Sequence, residues 1–96
     1  MLQLQSKPVS HFELHLAQGL EAFNHDLLDQ AMALFRRAAG NDLRRAEPWY
    51  WMGRVQEERH DRVSAGYCYG LAMSLGHNYL PAREGMRRLG YLENPD

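Results

Sequence analysis

His11 and His15 stand four apart in a stretch of helical apolar spacing, so both imidazoles fall on one helix face, where they could share a metal ion. No third ligand follows at a useful spacing, and Glu13 points elsewhere, so packing and solvation explain the pair. No metal and no cofactor is expected. Carboxylates pair at Glu57 and Glu58 and again at Asp26 and Asp29. Acid–base catalysis needs such groups in a cleft with perturbed pKa values. These lie at helix ends and on polar faces, where solvation or capping accounts for them. Cys68 is the sole cysteine, which excludes an intrachain disulfide and a CxxC motif. Between Tyr67 and Tyr69 in an apolar run, it reads as a buried structural thiol, since reactive cysteines want an electropositive, partly exposed setting. Arg83, Arg87 and Arg88 cluster, but Glu84 interrupts them, which favours a salt-bridged face over a phosphate site. No Ser-His-Asp order, Walker loop or GxGxxG run is present. The chain is expected not to be an enzyme.

Charge narrows the partner class. Eleven basic and 12 acidic side chains leave a formal net charge of −1, and neither half is lopsided. A nucleic-acid binder would show a basic excess on one face, so a protein or peptide partner is expected instead. Lys7 is the only lysine; the arginines suit planar contacts to carboxylates and stacking on rings. The first ten residues lack the basic start and apolar core of a signal peptide. No run approaches the roughly 20 apolar residues that span a bilayer. A cytoplasmic location and no membrane span are expected.

The elements that must position these residues are all helical. Ninety-six residues suit one domain with a modest core. Residues 1–9 form a flexible arm broken by Pro8, and residues 93–96 a frayed tail, around a domain at 10–92. Helix one spans about 11–24, opened by the S-x-x-E box Ser10 to Glu13 and carrying Phe12, Leu16, Leu20 and Phe23, with Leu14 widening the stripe. Helix two spans about 27–39, with Asp26 as its expected cap and Gly40-Asn41 as its stop. Helix three, about 46–59, tolerates Pro48 in its first turn. Helix four, about 62–75, is capped by Asp61, and Val63, Tyr67, Tyr69 and Leu75 are expected among its buried bulk. Gly66 and Gly70 should admit a ring, from Tyr67, Tyr69, Trp49 or Trp51. Helix five, about 79–89, is expected to be capped by Asn78 and to pack backward through Leu80, Ala82, Met86 and Leu89.

A period runs beneath these helices. The step from Gly19 to Gly53 is also the step from Ala31 to Ala65, from Phe35 to Tyr69 and from Ala38 to Ala72. Small residues and a ring recurring at one step mark stacked helix hairpins. The second copy, Trp49-x2-Met52-Gly53 then Ala65-x3-Tyr69, resembles the tetratricopeptide repeat pattern of W-x2-L-G-x2-Y, A-x3-F and P. In the first copy His15 and Gln18 replace the tryptophan and leucine. The family tyrosine is Ala22 and Gln56 here, and its proline is Leu43 and His77, departures that admit a Sel1-like variant.

The resemblance implies an all-α, right-handed solenoid fragment: two antiparallel hairpins and a capping helix, covering residues 10–92. It implies a protein-interaction module, such as an adaptor, small chaperone or assembly factor. The first helix of each hairpin would line a concave groove. Carried over by alignment, Leu16, Leu20, Phe23, Asn24, Tyr50, Arg54, Glu57, Glu58, Glu84 and Arg88 would line it. An amphipathic helix, or an extended peptide with an apolar anchor and charged flank, suits such a surface. The positions of the family's carboxylate clamp hold Leu16, Leu20, Trp51, Pro81 and Gly85, so chaperone tails are not expected to bind. Two hairpins are few for a stable stack, so a homo-oligomer or an obligate hetero-complex is expected. A second reading, from another class, is a structural unit that self-assembles through its exposed helix faces.

Overall fold

A computed structural model describes residues 9–77 and 79–92. The expected arm (save Val9), the Asn78 cap and the tail at 93–96 lie outside the described residues. Five α-helices follow in order: α1 His11–Asn24, α2 Leu28–Asn41, α3 Glu47–Glu58, α4 Arg62–Leu75 and α5 Leu80–Arg88. Among the described residues there is no strand, and no helix is long and apolar enough to cross a membrane. The fold is all-α.

Two of the expected caps form. Glu13 N donates to Ser10 Oγ at 3.1 Å while Ser10 N donates back to Glu13 Oε1 at 3.1 Å, closing the capping box. Asp61 Oδ1 accepts from Ser64 N at 3.0 Å. Asp26 does not cap α2: the N-cap is Leu27, with no side-chain bond. The reason is the turn before it. Asp26 has φ 62°, its N–H donates to Phe23 O at 3.0 Å, and Leu27 N donates to Ala22 O at 2.9 Å. That is a Schellman closure, in which Asp26 supplies the left-handed residue. The α3–α4 turn repeats it at the equivalent place in the second hairpin. His60 has φ 61° and its N–H donates to Glu57 O at 2.9 Å, while Asp61 N donates to Gln56 O at 2.9 Å.

Further expectations are corrected. Helix α2 does not stop before Gly40 but runs through Asn41, whose side-chain amide lies 2.6 Å from His15 Nδ1 and ties the end of α2 to α1. The N-cap of α5 is Tyr79, without a side-chain bond. Val63 and Tyr67 are not buried but 72% and 68% exposed, and Leu14, Leu75 and Leu80 are exposed as well. A helix covers only one stripe, and α4 spends its stripe on Ala65, Gly66, Cys68, Tyr69 and Ala72. The ring against Gly66 is Tyr91, and Gly70 faces open space.

Close approach of the helices rests on a ring seated against a glycine. A Cβ on Gly19 would lie 2.6 Å from the Phe35 ring, and one on Gly53 would lie 2.5 Å from the Tyr69 ring. Both rings are fully buried. Tyr69 also presses its other edge on Gly85, where a Cβ would lie 2.5 Å away, so one ring joins α3, α4 and α5. Each helix packs on the next in sequence. In addition α3 touches both α1 and α5, whereas α2 and α4 do not pack on one another.

Candidate functional site

Helix α3 is the shared wall of everything that follows. Residues 50, 54 and 57 alternate by four and three, so Tyr50, Arg54 and Glu57 share a face. That face lies between α1 and α5, its two odd-numbered neighbours. At its centre the Arg54 guanidinium sits 5.6, 5.9 and 5.5 Å from the ring centroids of Phe23, Tyr50 and Trp51. Arg54 also donates to Tyr50 Oη at 2.9 Å. The rings support one another edge-on: Phe23 to Trp51 at 5.7 Å, Tyr50 to Trp51 at 4.9 Å, and Tyr50 to Tyr79 at 5.9 Å. Cation–π attraction of this kind holds the cation without neutralising it. Among the described residues Arg54 has no carboxylate within salt-bridge distance.

Beyond Arg54 the face turns ionic. Tyr69 Oη donates to Glu57 Oε1, and Arg88 Nη2 donates to the same oxygen at 2.8 Å. Burial by itself would raise the Glu57 carboxyl. The bonds from Arg88 and Tyr69, with the charges of Arg88 and Arg54, outweigh it and hold the group below its ordinary value. Burial and the donated bond to Glu57 push the Tyr69 phenol well upward, so it stays a donor. Arg54, Glu57, Glu58 and Arg88 line an open recess of about 450 Å³. Glu57, expected as solvated surface, is therefore a positioned, partly buried acceptor. The expectation failed because its partners come from α4 and α5, which a reading of α3 alone cannot supply.

Of the remaining groove candidates, Leu16 and Leu20 are half-buried and pack on the buried cluster that includes Ala22, Met32, Phe35 and Val55, as Phe23 and Trp51 do. Asn24 ends α1, exposed, beside Phe23. Glu84 is exposed and pairs with Arg87 at 2.5 Å. Three residues of the site were not among the groove candidates: Trp51, Tyr69 and Tyr79. Trp51 stacks on Phe35 at 6.2 Å; the sequence signals for it are its clamp position in the resemblance and its place in three consecutive rings, Trp49, Tyr50 and Trp51.

The other chemistry-bearing groups stay separate. The His11 and His15 rings lie 6.3 Å apart, with His15 engaged by Asn41. Burial raises the Cys68 thiol above its ordinary value, which disfavours the thiolate. Among the described residues no three His, Cys, Asp or Glu side chains gather as a metal site. The arrangement can hold a polar or charged group over aromatic rings beside an ion pair. No protein-family model matches the sequence, and a comparison with curated proteins finds no match.

Proposed function

We propose that the chain is a tetratricopeptide-like interaction module, two stacked hairpins and a closing helix, which holds a partner's peptide or amphipathic helix against α1, α3 and α5. The stacking is supported by the glycine–ring seats and Schellman turns that recur at one constant step along the chain, and by the mutual approach of the odd helices alone. One observation carries the binding role. Arg54 is held on three rings and, among the described residues, has no carboxylate within salt-bridge distance, the nearby Glu57 being paired with Arg88 instead. A partner carboxylate would complete it, while an apolar side chain of the same segment covers Phe23 and Tyr50. The Glu57–Arg88 pair then favours a flank of mixed charge. In this reading the module is a cytoplasmic binder rather than a catalyst, and Glu57 serves it as an acceptor already engaged by Tyr69 and Arg88.

The test is co-purification of one stoichiometric partner with the tagged chain. Phe23→Glu and Tyr50→Ala should abolish recovery while leaving the helical circular dichroism intact. Recovery that survives both substitutions would overturn the proposed groove.

A further inference from the structure

On the far side of α3 lies a second recess. Trp49, Met52 and Gln56, again three and four apart, face away from Arg54. They form the floor of a cleft of about 450 Å³ between α2 and α4, the two helices that do not pack together. Its character differs from that of the ionic recess. Met32, Met52 and Trp49 are apolar, Val63 and Tyr67 stand exposed on the α4 rim, and Cys68 reaches the base. Among the described residues the lining holds one charge, that of Arg36 on the α2 rim, and no acidic side chain. Arg36 is exposed and, among the described residues, has no carboxylate within salt-bridge distance.

We infer that this cleft docks an acidic amphipathic helix, whose apolar stripe fills the space between α2 and α4 and whose carboxylate meets Arg36. Charge complementarity selects that occupant. A second copy of the chain seated two-fold on the same patch would bring Arg36 against a lining without a carboxylate, so self-pairing leaves the cation unmatched. Methionines on the floor adapt to side chains of different shape, and the exposed Val63 and Tyr67 gain burial only when something lies beside them.

The test uses a fluorescein-labelled synthetic helix with a leucine stripe flanked by glutamates, followed by anisotropy. A version with glutamines for the glutamates should bind about fivefold more weakly, the size of one partly exposed ion pair. Arg36→Glu should invert the preference toward a lysine-flanked helix, a change that loss of folding cannot mimic. Val63→Asp should weaken both helices about tenfold. Equal binding of the glutamate and glutamine helices, or concentration-dependent dimerisation that Val63→Asp abolishes, would each overturn the inference.

Discussion

Phe35 and Tyr69 occupy equivalent places in the two hairpins, and a single hydroxyl separates them. Both rings are fully buried, and both sit against a glycine of the preceding odd helix. Phe35 ends in apolar surroundings, stacked on Trp51. Tyr69 instead carries its oxygen out of the core to Glu57, with Arg88 Nη2 3.5 Å from it. Thus the first hairpin uses its ring for packing alone. The second uses the same position to fasten α5 and to hold Glu57 and Arg88 together. A buried ring can keep its packing role while one polar atom, placed where neighbours can satisfy it, adds a hydrogen bond between helices.

The largest expected effect tests the shared half of this comparison. Gly53→Ala gains about 1 kcal/mol of helix propensity but drives a methyl into a ring held on both sides, an overpacking cost of about 3 kcal/mol. A net loss of about 2 kcal/mol should appear in urea unfolding, and Gly19→Ala should behave alike. If either variant is as stable as the parent, the ring–glycine seat is not what sets the helix spacing.

Exchanging the hydroxyl tests the half that differs. Phe35→Tyr should cost about 1–2 kcal/mol, because the added oxygen is buried without a partner. Tyr69→Phe should cost about 1 kcal/mol, the worth of one hydrogen bond. The second variant should also change the acid response. The carboxyl of Glu57 lies below its ordinary value in the folded chain. Its stabilisation is therefore complete above the unfolded pKa of about 4.3 and is lost as pH falls through the lower folded value. Tyr69→Phe removes one cause of the depression, so acid unfolding should begin at higher pH; Phe35→Tyr should leave that onset in place once its lower stability is allowed for. Identical acid titrations by circular dichroism would contradict the assigned network.

The smallest expected effect has the opposite sign. Gly40 lies inside α2 with nothing within 4 Å of an added Cβ. Gly40→Ala should therefore stabilise by about 0.5–1 kcal/mol, read as a higher midpoint in the same urea experiment. The contrast with Gly53 isolates close approach from helix propensity.

Much of this was legible along the chain. The Ser10 capping box, the Asp61 cap and the five helices follow from local rules, since each needs only residues within one turn. What was lost depended on distance. Asp26 looks like a cap until the Schellman turn claims its backbone, and Gly40-Asn41 looks like a stop until His15 holds Asn41 in the helix. Val63 and Tyr67 are apolar enough for a core, but nothing local tells which flank of α4 a neighbour will cover.

The amino-acid order by itself determined the helices and the recurrence of glycine and ring at a constant step, because periodicity and short side chains are written one residue at a time. Only the tertiary structure decided which rings surround Arg54, which oxygen Arg88 and Tyr69 share, and that α2 and α4 leave a cleft between them. Those outcomes depend on how helices distant in sequence rotate against each other. That rotation is set by the sum of many contacts, and no single segment carries it.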